Sequence, residues 1–346
     1  APQITFGKTT IGDCTFLLEN PRNCIKLLVR GTHLPRNQRR NPYYFSISSN
    51  VENDSLMTDL HFSNSTEETY SGLLSVTSIF KKLDEKGLTA DILINPSDII
   101  LNDTTWNMHQ SKIELTPDIV TVKNFYFNHE NQNLQINGHT SRSDEDSITV
   151  HFSDLRLGYI SDILNQKNIT FDGVADGDIY LFRLFNHPYY RGGLNILDAA
   201  INDYTIGDLG VTSAWQEDKK CIAFNTTLDS HLPDNTKAHS DIFGGIFLGD
   251  DSLYIEGNLK EVDLKFLRKY IGSVMQNNTG TVCGTVKAYG NFGNIGLDGV
   301  AYVKDMRFDI DYLKTSYSLS DTVYMTPTSF RLNQTPVYDS EHNFGV

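Results

Sequence analysis

The sequence predicts an all-β protein: an elongated, curved, antiparallel sheet of repeated units that forms a groove, with a few short helices. Two observations carry this expectation. Short stretches alternate apolar with polar residues between clusters of Asn, Asp and Gly, the pattern of half-buried strands joined by tight turns. The chain also repeats itself at about 110 residues, as arrays do when each unit buries its apolar face on its neighbours. The whole of residues 1–346 reads as one repeat domain, with units at approximately 50–152, 153–260 and 261–346, the last one truncated.

In the first unit Tyr70-Ser71-Gly72-Leu73 plays the part that Phe171-Asp172-Gly173-Val174 plays in the second. Leu88, Ala90, Ile92 and Ile94 then alternate as one strand, and Ile148, Val150 and Phe152 as another. Lys81 to Lys86 reads as a weak helical turn. Trp106 is matched by Trp215 of the second unit, and Leu134-Gln135-Ile136-Asn137-Gly138 by Leu253-Tyr254-Ile255-Glu256-Gly257. In the second unit Asp154 is placed to cap a short helix carrying Leu155, Tyr159 and Ile163. In the third, Asp263 does the same for Leu264, Leu267, Ile271 and Val274. Behind each helix comes a strand with a glycine at the same offset, Gly173 and Gly284, and further on Tyr204 to Asp208 is echoed by Tyr317 to Asp321. One such helix per repeat suits a cap over an open end or edge of the sheet.

The clearest strand runs from Met306 to Tyr312. Period-two geometry puts Met306, Phe308, Ile310 and Tyr312 on one face and Arg307, Asp309 and Asp311 on the other. With Leu319 on the strand that follows, the four apolar residues are the candidates for a groove lining.

Composition narrows the function classes. Hydrophobic residues at 39% and charged ones at 21% describe a folded chain. A net charge of -14 disfavours nucleic acid as a partner, because phosphate is held by excess Lys and Arg; Arg36, Arg39 and Arg40 read as a solvated loop. Four cysteines are too few for a disulfide scaffold, and Cys14 and Cys24 read as ordinary half-buried thiols, although a hairpin would let them pair. No apolar stretch is long enough to span a bilayer as a helix and no leader pattern opens the chain, so the sequence reads as cytosolic or as an excised piece, the polar turn from Asp339 favouring excision.

Catalysis has no visible constellation, and the expected catalytic residues, metal and cofactor are none. There is no nucleophile elbow, phosphate-binding loop or His-Glu-x-x-His motif, and the histidines show no ligand spacing. Asp172, Asp176 and Asp178 read as a solvated hairpin in preference to a calcium loop, since the aligned positions are Cys283, Lys287 and Tyr289. Several Asn-x-Ser/Thr triplets, such as those at Asn64 and Asn225, arise by chance in an Asn-rich chain. The 19 Phe and 17 Tyr admit two readings: core packing in a sandwich, or a curved sheet whose concave face is shared with an acyl chain.

Thr281 to Phe330, with Gly284, Gly290, Gly299, Asp309-Ile310-Asp311-Tyr312-Leu313 and Tyr317 to Asp321, resembles the TamB family of translocation and assembly module proteins, within the AsmA-like group of Gram-negative bacteria. Leu134 to Gly138, Ser153-Asp154-Leu155 and Gly207-Asp208-Leu209 resemble the repeats upstream of that family's terminal domain, and the likeness is one of rhythm and spacing. It implies a periplasmic protein, anchored in the inner membrane when full length, whose groove binds phospholipid acyl chains and carries phospholipid between the membranes. It also implies a BamA-like outer-membrane protein as a partner, through regions absent here. The alternative reading is a scaffold or chaperone-like factor for outer-membrane β-barrel proteins, pairing its sheet edge with client strands. A glycan-active β-helix is disfavoured because its coils repeat at far shorter intervals.

Overall fold

The computed structural model describes residues 3–345 apart from 7–8, 22–23, 35–42, 65–68, 84–86, 159–169, 233, 269–275, 292–293 and 342. The protein is all-β, and every described strand pairing is antiparallel, mostly between strands consecutive in sequence. The chain divides into two compact units, Ala1–Leu155 with Asp178–Pro188, and Arg156–Gly177 with Tyr189–Val346.

In the first unit β1 (Ile4–Phe6), β2 (Thr9–Glu19), β3 (Ile25–Leu34), β4 (Tyr43–Glu52), β5 (Ser55–Asn64) and β6 (Tyr70–Leu83) pair in succession. The next two strands each come in two pieces. β7 (Gly87–Ile94) and β8 (Ser97–Leu101) both lie along β6, separated at Asn95 and Pro96, where proline has no N–H for the ladder. β9 (Thr104–Met108) returns on β8 and β10 (Ser111–Leu115) on β7. Both pair onward with β11 (Val120–His129), followed by β12 (Gln132–Thr140) and β13 (Ile148–Arg156).

The residues of β14 (Phe171–Phe182) are divided between the units. In the second unit β15 (Tyr189–Ile201), β16 (Tyr204–Gln216), β17 (Cys221–His231), β18 (Lys237–Phe247), β19 (Ser252–Asp263), β20 (Gln276–Asn291), β21 (Asn294–Ile310) and β22 (Thr315–Thr326) form a plain meander. The far edge of β22 carries two short strands, β23 (Ser329–Arg331) and β24 (Val337–Asp339), the latter paired with β25 (Phe344–Gly345).

Tight Asn-Asp turns close several hairpins. Asn53-Asp54, Asn102-Asp103 and Asn202-Asp203 hold both residues at positive φ, which matches the twist of the strands they join. Bulges interrupt the ladders at Asp198, Glu261 and Asp305, each again at positive φ, and each lets a strand resume its alternation one residue late.

The short helices need correction. Asp154 lies inside β13 with φ at 50°, and Leu155 belongs to the same strand; helix is entered only at Gly158, and Tyr159 and Ile163 fall outside the described residues. Behind Asp263 there is a 3-10 turn, Leu264–Leu267, and the Asp263 carboxylate accepts from the Lys265 N–H as an N-cap should. Ile271 and Val274 lie outside the described residues. Lys81 to Leu83 are strand, because Thr89, Leu88 and Gly87 of β7 stand opposite to complete the ladder; 84–86 are not described.

Candidate functional site

Residues directly opposed across an antiparallel ladder share a face, so the register fixes what each face presents. In the second unit the row Leu259–Gly284–Ala301–Val323 crosses β19 to β22, and Val262–Val282–Val303 lies beside it. On the same face Leu209 opposes Leu228, Val211 opposes Leu194, and Ile242 and Ile246 continue the surface onto β18. Leu228, Val262, Leu264, Val282, Ala301 and Val303 form one buried cluster; Ala175, Ile196 and Ala199 form another.

The first unit repeats the arrangement. Leu60 opposes Ile47 and Leu74, Val76 opposes Ile94, Ile92 opposes Ile113, and Phe127 opposes Leu134, which opposes Phe152. Trp106, 2% exposed, stacks on Phe127 at 5.1 Å. Most of these side chains are only half-buried, and Phe16, Leu18 and Leu88 stand open on the same face. Contiguous half-open apolar faces are the kind of surface that marks interaction sites in proteins.

The opposite face holds ion pairs, while Asp321 stands opposite Val303 on the apolar face. In the first unit Lys81 meets Asp91 at 3.1 Å, and Lys112 and Lys123 both reach Glu114 at 2.8 Å, so the Glu114 carboxyl is lowered by those two ammonium groups. In the second, Asp208 receives Lys237 at 2.6 Å and His231 at 2.9 Å. Partial burial pushes the Asp208 carboxyl up, but these hydrogen bonds and the Asp198 N–H hold it far below the usual carboxylate range.

Sequence reasoning missed this last constellation. Ligand-capable atoms of Asp198, Asp208 and His231 lie within 4.8 Å of one another, making these the described residues best placed to hold a metal, yet Lys237 already sets a cation on Asp208. Its members come from different strands, so no spacing in the chain announces it. The three aspartates considered for calcium do not join it, and Asp178 instead receives His151 at 2.8 Å.

The five expected groove residues do not all meet. Phe308 is buried and stacks on Tyr317 at 6.0 Å; Met306 packs on the main cluster; Leu319, buried, stands opposite Met306. Ile310, half-buried, is the last residue of β21. Tyr312 is a correction: it is 93% exposed, in the turn closed by the Leu313 N–H donating to the Ile310 carbonyl. The period-two rule lapses where the strand ends, two residues before the sequence pattern does. Of the charged partners, Asp309 is half-buried and accepts from Ser316 and Asn277, which lowers its carboxyl. All four cysteines are free thiols.

Compared with protein-family models, with curated proteins and with solved structures, the chain matches none of them.

Proposed function

We propose that the apolar face of each unit binds lipid acyl chains, and that the chain is a segment of a TamB-like periplasmic conduit for phospholipid between the inner and outer membranes. One observation carries the reading: in both units the ladder register sorts apolar side chains onto one face and the ion pairs onto the other, while most of the apolar side chains stay half-exposed. An acyl chain needs an apolar, non-directional surface and no specific polar partner, which is what such a face offers. Each methylene it removes from water is worth about 0.8 kcal/mol, so partial coverage of a long chain suffices for retention.

The scaffold reading requires an open strand edge for a client to pair with. At β22 that edge is already taken by β23 at Tyr324–Thr326 and by β24 at Tyr317–Ser318, and Asp321 between them accepts from the Thr335 hydroxyl. The edge of β2 beyond Ile11 pairs with β3 alone among the described residues, so the lipid reading is preferred on the extent of the apolar face and not on the strand edges.

Photo-crosslinkers at Val323 and Tyr324 test it, since these neighbours in one strand point to opposite faces. Lipid adducts at 323 with none at 324, identified by mass spectrometry from cells, are expected. Adducts to outer-membrane protein strands at either position would shift the assignment to the scaffold.

A further inference from the structure

Two long strands each have an edge that no other long strand covers among the described residues, and the two edges are finished differently. β2 of the first unit pairs with β1 only over Thr9–Ile11, so its edge from there to Glu19 is open. No charge and no proline interrupts Cys14 to Leu18, and Phe16, Leu17 and Leu18 are all exposed. Sheet edges are ordinarily blunted by just such charges and prolines, because an unpaired row of N–H and C=O groups is a template for another strand.

β22 of the second unit is covered, but lightly. Its inner edge pairs with β21 from Thr315 to Met325, whereas its outer edge carries β23 only at Tyr324–Thr326 and β24 only at Tyr317–Ser318. Every residue of β23 is exposed. Between the two short strands the covering segment is tied by one buried side chain: Thr335, 5% exposed, donates its hydroxyl to the Asp321 carboxylate at 2.5 Å. A segment with so few ladder bonds and so little buried surface opens at lower free energy than the strands beneath it. What it hides is an edge of twelve residues with no proline and a single charge, Asp321.

We propose that the segment from Ser329 to Gly345 is a detachable cap on β22, and that the strand it excludes is the open β2 of a second copy of this chain. The two edges match in length, eleven residues against twelve, and Cys14 to Leu18 sets no charge against Asp321. Joining them would extend the apolar face, with Phe16 and Leu18 beside Leu319 and Val323. Because the joined edges are different, each added copy still presents an open β2, and the assembly does not close on itself. A cap on one of the two edges stops that growth. The inference does not depend on the lipid reading.

The test is hydrogen exchange and sedimentation velocity on the full 346-residue chain at about 0.15 M salt, which screens the repulsion between two copies of net charge -14. In the wild type, amides of β23 and β24 should exchange at least about tenfold faster than those of β21, and the chain should be monomeric. Thr335→Val removes the hydroxyl at constant volume and should speed exchange in the cap several-fold while producing concentration-dependent self-association. Tyr338→Pro opens the cap in a second way, since Tyr338 pairs with Ser318 on one side and Phe344 on the other, where proline lacks the N–H for a ladder. Should either variant lose its strand circular dichroism or leave the cap closed, the other decides. Adding Leu17→Lys, a charge on the open edge, should return both variants to monomers. Cap amides no faster than those of β21, an opened cap on a chain that stays monomeric, or association that survives Leu17→Lys would each overturn the proposal. So would wild-type association abolished by Leu17→Lys, which would pair the edge of β2 without any opening of the cap.

Discussion

The two units present the same kind of apolar face but keep it in different states. In the second unit both buried clusters form, and at one of them the 3-10 turn behind Asp263 adds Leu264, Phe266 and Leu267 to the core. That turn is held to the sheet from two sides: the Asn278 side chain donates to the Leu264 carbonyl, and Arg268 donates twice to the Asn278 carbonyl while lying over the Tyr204 ring. In the first unit the strands are broken at Pro96 and beside His109, and the large side chains Phe16, Leu18 and Leu88 remain exposed. A period-two pattern therefore creates an apolar face, but dryness depends on what lies against it. The first unit leaves more of its apolar face open, and the second buries more of it.

Aspartate substitutions give the largest expected contrast. Leu228→Asp places an unpaired carboxylate where the side chain is 2% exposed and should cost about 3–5 kcal/mol, whereas Leu60→Asp in the first unit, half-buried, should cost about 1 kcal/mol. Denaturant unfolding read in each variant checks this, and equal losses would erase the distinction between the units.

Glycines give the next. Gly284 holds φ at 148° and its Cβ position is filled by the Val300 carbonyl, so Gly284→Ala should cost about 2 kcal/mol. At Gly31 a Cβ would meet the Ile11 methyl at 2.6 Å and the Phe45 ring at 3.1 Å, side chains that can turn aside, and φ is not in the left-handed range; Gly31→Ala should cost about half as much. Melting temperatures of the two variants decide it.

Acid should separate the units in the same order. Asp208 has a folded-state pKa lowered far beneath its unfolded value, so its contribution is full above about pH 4 and is lost as pH falls through the folded value. The stability difference between wild type and Asp208→Asn should shrink on acidification below about pH 4. Glu114, lowered by Lys112 and Lys123 but more exposed to solvent, should show the same trend at smaller amplitude in Glu114→Gln. A difference that grew with acid would show that the sign is wrong. Smallest of all, Tyr312→Ser should change stability by under about 0.5 kcal/mol, because the ring touches little but water.

The alternation of Met306, Phe308 and Ile310, and the Asp263 cap, were legible in the chain because both are local: neighbouring side chains on a strand must point oppositely, and a carboxylate reaches an N–H two residues on. Sequence by itself thus determined the all-β class, the existence of an apolar and a polar face, and much of what each carries. Tertiary structure decided the rest. Lys81 to Leu83 became strand because β7 offered partners, Tyr312 left the face because the hairpin turned at Ile310, and Asp154 fell within a strand at positive φ. Asp208, His231 and Lys237 converge only because register sets their strands side by side. Register is a property of pairs of strands, and no single stretch of sequence contains it.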